Sequence, residues 1–424
     1  MTALTVVLAT VVSLAPSLLP REPSVQGALT GVTIVLALIA RRLVLILRRH
    51  LTGRTPRPGS RELRLPVAVV GASAVLVAAA TAHHRQNRLR EAMSVPALDG
   101  RYWLDSLTVA VVVVGVSLAL PRLARVLGRR RDAATAVAVV LGIGVATVSA
   151  SSGEAVDTVS SPTTLSAGLS GGSGSAVAWK DLGREGQRFV SLPSEGSPIR
   201  IYVPLAAAPD PSARAGLAVD ELRRAGAFRR AHLVVTVPTG SGWVDAAAVR
   251  GFEAQWGEDV ALVAQQYSDR PSWATFVLDR RAAANEARTL VAALRAHLST
   301  LPEQQRPALH VYGQSLGASG ASAVFDGTDP EPCALFLAGP PAGVRTTHAT
   351  VLANVSDPVV WWRPSLLWSP PELSHARADA PSPPWIPVVT FVHTTVDLLT
   401  SLAAAPGHGH RYGEDQARCT PAPG

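Results

Sequence analysis

The chain reads as an α/β protein with a mostly parallel central sheet flanked by helices, preceded by an all-α transmembrane helical domain. Three observations predict this. Residues 1–150 hold long charge-free apolar runs. From about residue 180 onward, charged residues mix with apolar ones as in a water-facing domain. In that second half, short β-branched runs alternate with helical ones, the pattern of a sheet with helical crossovers. The 424 residues suffice for two or three domains, each with its own core. The expected division is a helical domain over 1–152, a Ser/Gly-rich linker over 153–178 and an α/β domain over 179–424. Gly171-Gly172-Ser173-Gly174-Ser175 has the composition of a flexible linker.

About 20 apolar residues cross a bilayer core as a helix. Five stretches approach that length: Thr2–Leu19, Val25–Ala40 with an apolar extension to Leu47, Leu65–Ala82, Leu104–Leu120 and Ala133–Ala150. Prolines 16, 20, 23, 56, 58 and 96 separate the first four runs. The first run lacks a basic leader, and Pro-Ser-Leu-Leu-Pro-Arg is a poor cleavage context, so it reads as a retained helix. The loops after the second and fourth runs carry the dense arginines, Arg41 to Arg64 and Arg122 to Arg131. Basic loops face the cytoplasm, which places the N-terminus inside, the α/β domain outside and the protein in the plasma membrane as a multi-pass chain. The loop after the third run also has arginines, partly offset by Glu91 and Asp99, and weakens that orientation.

The net charge of +8 raises the question of nucleic acid. The arginines concentrate beside apolar runs, where topology and anionic lipid account for them, so membrane rather than nucleic acid is the expected partner. No ionisable residue lies deep within a span, which argues against an ion or proton pathway. The two cysteines, Cys333 and Cys419, show no metal-ligand spacing and are read equally well as a disulfide or as two thiols.

In the α/β half, strands are expected at Arg200–Val203, Leu233–Val237, Ala308–Tyr312, Ala334–Leu337, Thr350–Val355 and Pro387–Val392. A helix is expected at Ala282–Leu298, where Ala287, Leu290, Val291, Leu294 and Leu298 recur at helical spacing. Gly313-Gln314-Ser315-Leu316-Gly317 follows the fourth of these strands and leads into a run of small residues. A G-x-S-x-G sequence between a strand and a helix is the nucleophile elbow of an α/β-hydrolase fold. The glycines clear space around a serine in a strained turn, and the helix N-terminus favours developing negative charge.

Ser315 needs a base and an acid, which in this fold follow in the order Ser, Asp/Glu, His. Asp357 stands just past the strand Thr350–Val355 and is the candidate acid; Asp397, inside an apolar run, is the weaker one. His408 and His410, in Gly407-His408-Gly409-His410, are the candidate bases; spacing does not separate them, and the flanking glycines favour His408 with His410 close behind. His375 and His393 sit in less open turns. The oxyanion hole draws on the backbone of Leu316 and of Thr239 or Gly240 in the loop Pro238–Trp243. The plainer alternatives are a turn serine, a turn-forming Asp before Pro358 and an ordinary Gly/Ser turn. Trp361, Trp362 and Trp368 fit an acyl pocket, a membrane interface or core packing.

Gly-Gln-Ser-Leu-Gly, Pro-Thr-Gly-Ser-Gly-Trp-Val-Asp, Ser-Asp-Pro-Val-Val-Trp-Trp, Gly-His-Gly-His-Arg-Tyr and the early Ser-Leu-Leu-Pro-Arg resemble, in this order, a family of actinobacterial membrane-anchored α/β-hydrolases. Relatives often carry Glu at the position of Gln314, outside the triad. The resemblance implies a serine hydrolase and leaves the substrate open. The reading is a carboxylic esterase acting on a small-molecule, lipid or cell-envelope ester, with no cofactor and no metal. An acyltransferase using the same triad and a non-catalytic binding protein on the same scaffold are the alternatives. Oligomeric state is not encoded in these features.

Overall fold

The computed structural model describes residues 2–53, 64–126, 142, 165–194, 196–270, 275, 279 and 281–419. They fall into two compact units. One holds Met1–Ala155 with Pro364–Pro370 and Ala378–Ala405; the other holds Val156–Arg363, Pro371–Arg377 and Pro406–Gly424. The C-terminal half is therefore not one contiguous body: two of its segments pack with the N-terminal helices.

The first unit contains α1 (Thr2–Ser13), α2 (Pro23–Thr52), α3 (Arg64–Ala92) and α4 (Tyr102–Val126). Pro23 opens α2, where its missing N–H costs nothing, and Gly53 closes it in a left-handed conformation. Gly27 and Gly31 lie one turn apart on α2 and face α4. A Cβ at Gly27 would collide with the Ser106 carbonyl, and one at Gly31 would lie 2.7 Å from Val113 Cβ. Close backbone approach over small residues is a common way for membrane helices to pack. Among the described residues, two helices are long and apolar enough to cross a membrane, Pro23–Thr52 and Tyr102–Ala119. The expected first span is instead a helix of 12 residues, about 18 Å long, because Pro16 and Pro20 stop it. The expected span Ala133–Ala150 lies outside the described residues except for Gly142.

After α1 the chain turns through Pro16–Arg21, and Arg21 is 2 % exposed. Its Nε and Nη2 donate to Asp397 Oδ1 at 3.1 and 2.9 Å, while Leu18 N–H donates to Asp397 Oδ2 at 2.9 Å. Arg21 Nη1 donates to His393 Nδ1 at 3.1 Å, leaving His393 Nε2–H for the Val12 carbonyl at 3.0 Å. Burial and the Arg21 charge push His393 down to about 3, so it is neutral. Asp397 and His393 lie on Val389–Leu398, hereafter α10. The sequence reading expected a strand over Pro387–Val392. The structure has a helix because the buried positions Thr390, His393, Thr394 and Asp397 follow helical spacing. That stripe is polar, so an apolar count misses it. Asp397, weighed as a triad acid, belongs to this ion pair.

The second unit is a seven-stranded, all-parallel sheet of order β1-β3-β2-β4-β5-β6-β7. Its strands are β1 (Ile199–Val203), β2 (His232–Val237), β3 (Val260–Gln265), β4 (Ala308–Gln314), β5 (Leu335–Ala338), β6 (Thr350–Asn354) and β7 (Ala376–Arg377). Helices α5 (Gly183–Val190), α6 (Pro211–Ala225), α7 (Ala246–Trp256), α8 (Arg281–Ser299) and α9 (Leu316–Ala323) complete it. One apolar core joins the sheet to α6, α8 and α9, and a second joins it to α5 and α7. β3 and β7 were not anticipated: β3 is buried at every position and lacks alternation, and β7 has two residues. The described part of the Ser/Gly-rich stretch, from Leu165, packs into this unit. Leu169 bridges to Arg200, and Ser175 Oγ donates to Glu221 at 2.7 Å, so the body of this unit begins well before residue 179.

Cys333 and Cys419 form a disulfide across 86 residues, tying the C-terminal tail to the start of β5. Beside it, His310 Nδ1–H donates to the Cys333 carbonyl at 2.8 Å, and His310 Nε2 then accepts from His232 Nδ1–H at 3.0 Å. Both rings stack on Trp256, and burial pulls both below the ordinary histidine value.

Two outcomes follow. Arg21→Met alone strands a buried carboxylate and lowers stability by about 3–5 kcal/mol, whereas Arg21→Met with Asp397→Leu restores most of it; hydrogen exchange at Leu18 N–H, which Asp397 accepts, reads this directly. Because burial lowers His232, His310 and His393 below the unfolded value, the unfolded chain binds more protons, and stability falls as pH drops below about 6.5. Denaturant unfolding from pH 7 to pH 5 is expected to show this loss, and His310→Gln to flatten it by up to about 1.4 kcal/mol per pH unit.

Candidate active site

The C-terminal end of β4 runs into α9 through a single residue, Ser315, with φ 55° and ψ −125°. A non-glycine residue in this region is strained by about 1–3 kcal/mol. Its surroundings impose the bend. Ser315 N–H donates to the Ala338 carbonyl at 3.1 Å, and Ala318 N–H returns to Ser315 O at 2.9 Å. A Cβ at Gly313 would collide with the Gly317 carbonyl, and one at Gly317 with the Val237 carbonyl. Gly317 thus seats the start of α9 directly on the end of β2, where the loop Pro238–Trp243 begins. Leu316, the first residue of α9, has a backbone N–H with no intrahelical acceptor.

That loop is braced internally. Thr239 N–H donates to the Trp243 carbonyl and Gly242 N–H to the Thr239 carbonyl, both at 2.9 Å. Tyr202 Oη donates to the Gly242 carbonyl at 2.9 Å. The Thr239 N–H expected for an oxyanion hole is therefore already engaged, which leaves Gly240 as the candidate from this pair.

Asp357 follows β6 and is fully buried. Its Oδ1 accepts from Val359 N–H at 2.8 Å, capping a single helical turn, Pro358–Trp361. Its Oδ2 accepts from His410 Nδ1–H at 2.7 Å and from Tyr412 Oη at 2.5 Å. The turn-forming role and the pairing with histidine are thus two oxygens of one carboxylate. His410 is 4 % exposed, and its Nε2 has no hydrogen-bond partner among the described residues. The ring that meets Asp357 is that of His410 and not of His408, which its flanking glycines favoured. His408 is half-buried in the turn closed by Gly407 N–H to the Arg411 carbonyl. His375 and His393 do not enter this group; His393 is bound to Arg21.

Two contacts bring His410 to the Ser315 end of the sheet. Gln314, the residue before the serine, donates from Nε2 to the His410 carbonyl at 3.1 Å. Gly339, with φ +49°, follows the Ala338 carbonyl that holds Ser315 N–H. A Cβ there would sit 2.7 Å from Asp357 Oδ2 and 2.8 Å from His410 Nδ1. Further support comes from Asn354, which donates to the Gly409 carbonyl at 2.9 Å, and from Ser356, whose Oγ accepts from Gly409 N–H at 2.7 Å.

A buried polar chain reaches the other side of the group. Tyr312 Oη donates to Gln416 Oε1 at 2.7 Å, and Gln416 Nε2 donates to Asp245 Oδ2 at 3.0 Å. Burial pushes the Asp245 carboxyl up, against its bonds to Gln416 and Ala247 and the charge of His410. Asp245 also caps α7 through Ala247 N–H at 2.8 Å. Sequence reasoning did not identify Tyr412, Gly339, Tyr312 or Gln416. The one available signal was Tyr412 at the end of Gly-His-Gly-His-Arg-Tyr. Of the three tryptophans, Trp361 is core, with Nε1–H donating to the Val355 carbonyl at 2.8 Å. Trp368 is 66 % exposed.

Residues 199–347 and 338–420 match the model of an alpha/beta-hydrolase family, and residues 14–152 match the model of that family's N-terminus. No curated protein and no solved structure matches the chain.

The strain at Ser315 gives a measurable outcome. Ser315→Gly is expected to stabilise the fold by about 1 kcal/mol because glycine tolerates this φ and ψ, and Ser315→Ala to leave it unchanged. Gly317→Ala, which forces backbone against backbone, is expected to cost about 1–3 kcal/mol. Thermal unfolding of the full chain in detergent orders the three variants.

Proposed function

The chain belongs to an alpha/beta-hydrolase family, and on that premise we propose that it is a membrane-anchored serine esterase that works through an acyl-enzyme on Ser315. The observation that carries this reading is His410 held by Asp357 through Nδ1 while its Nε2 is buried and, among the described residues, unpartnered. Such an imidazole is fixed in the tautomer that accepts a proton at Nε2.

Ser315 Oγ attacks the ester carbonyl carbon as His410 Nε2 takes the hydroxyl proton. Negative charge gathers on the former carbonyl oxygen, facing the N–H groups of Leu316 and Gly240. The C–O bond to the alcohol breaks, and His410 returns the proton to that leaving oxygen. Water then repeats the sequence on the acyl-Ser315, releasing the acid. Asp357 keeps its negative charge and stabilises the imidazolium; Tyr412 holds the carboxylate oxygen that faces the ring. The apolar helices α2 and α4 support membrane anchoring. The Cys333–Cys419 disulfide supports an extracytoplasmic location for the hydrolase unit, since such bonds persist in oxidising compartments. Lipid and cell-envelope esters are the substrates such a location favours.

A fluorophosphonate probe is expected to label the parent chain and not Ser315→Ala. His410→Ala is expected to reduce hydrolysis of a short-chain ester by about 10⁴–10⁶-fold, and His408→Ala by less than about tenfold. Equal losses in the two histidine variants would remove the assignment of His410 as the base.

A further inference from the structure

The helical unit carries a second polar site that none of the catalytic groups uses. A cavity of about 190 Å³ opens where α3 and α4 meet, lined by Arg85, Gln86 and Arg88, by Tyr102 and Trp103, and by the run Pro381–Pro384. Pockets for drug-sized molecules measure about 300–1,000 Å³, so this one suits a small group. Arg85 and Arg88 stand one turn apart on α3, exposed, and among the described residues neither is paired with a carboxylate. Two like charges at this spacing repel, and an anion between them relieves that repulsion.

A further positive group, Arg90, lies outside the lining, beside the lining residue Tyr102. Arg90 is 7 % exposed, yet it meets only carbonyls, those of Arg21 and Pro96 at 2.8 and 3.1 Å. Its Nε has no partner among the described residues, and its guanidinium lies 6.0 Å from the Tyr102 ring centroid. Arg21 adds little, because Asp397 neutralises it. The nearby acids Glu22 and Glu91, the latter next to Arg90 in the chain, are both exposed, and neither enters an ion pair among the described residues. A buried cation without a counter-charge is costly, and a bound anion offsets that cost.

The surroundings are amphiphilic. Trp103 Nε1–H donates to His83 Nδ1 at 3.2 Å, and tryptophan at the end of an apolar helix marks headgroup level. The next turns of α4 expose Leu104, Leu107 and Val111, at 63, 61 and 61 %. Apolar surface beside a cationic pocket fits acyl chains beside an anionic headgroup. We propose that this pocket binds a phosphate-bearing anion, held as the headgroup of an anionic lipid.

The test titrates the full chain, in neutral detergent micelles, with short-chain phosphatidylglycerol, phosphatidylcholine or inorganic phosphate, read by calorimetry. Phosphatidylglycerol is expected to bind at least about tenfold more tightly than the other two. Arg85→Gln with Arg88→Gln is expected to weaken it by at least about tenfold. Arg41→Gln with Arg42→Gln, which removes the same charge from α2, is expected to leave it unchanged; all four arginines lie outside any ion pair among the described residues, so both variants should unfold at the parent temperature. Equal affinity in the parent and the Arg85/Arg88 variant would overturn the site. Equal loss in the two double variants would reduce it to general charge attraction, and phosphate binding as tightly as the lipid would overturn the lipid assignment.

Discussion

A carboxylate with no exposure to water has to be met by donors, and Asp357 organises the hydrolase unit around that requirement. It uses one oxygen to cap the turn after β6 and the other to accept from His410 and Tyr412. One donor comes from the following turn and two from the C-terminal tail, so satisfying one buried group draws the strand end, that turn and the tail together. Gly339 permits this: any side chain there would occupy the space of the Asp357–His410 contact. The disulfide from Cys333 to Cys419 anchors the tail that carries His410, Tyr412 and Gln416. For a loop of that length the chain-entropy account gives a stabilisation of about 4.6 kcal/mol.

The same chemistry recurs in the helical unit with a different outcome. Asp397 is as buried as Asp357, but its donors are Arg21 and the Leu18 N–H. Against a guanidinium the carboxylate makes an ion pair; against His410 it holds the ring in one tautomer, with Nε2 unpartnered among the described residues. His393 and His410 differ in the same sense. His393 uses both ring nitrogens, on Arg21 and on the Val12 carbonyl, whereas His410 uses one. The Ser-Leu-Leu-Pro-Arg turn therefore serves to deliver Arg21 to a segment of the chain that comes some 370 residues later.

Arginines on the last turns of α3, after the third apolar run, weaken a simple inside/outside count but have a structural use. Arg90 bonds carbonyls of the Pro16–Arg21 and Pro96 turns, and Arg85 and Arg88 flank a cavity. Positive charge at a helix end can thus serve packing and anion binding as well as topology, and only the local acceptors distinguish these roles.

The sequence by itself determined the elements whose signal is local. The G-x-S-x-G elbow was legible because a sharp strand-to-helix turn requires small residues at fixed offsets; α8 was legible because its apolar stripe has helical period. The sequence also placed Asp357 and the Gly-His-Gly-His histidines downstream of Ser315, and the structure pairs Asp357 with one of them, His410. What the tertiary structure decided concerns partners far apart in the chain. Choosing His410 over His408, pairing Asp397 with Arg21, and engaging the Thr239 N–H on Trp243 all turn on which donor reaches which acceptor across the fold. α10 was misread because its buried face is polar and earns burial only through Arg21. A buried hydrogen bond is a property of two residues and the space between them, and spacing along one strand of sequence carries no record of that space.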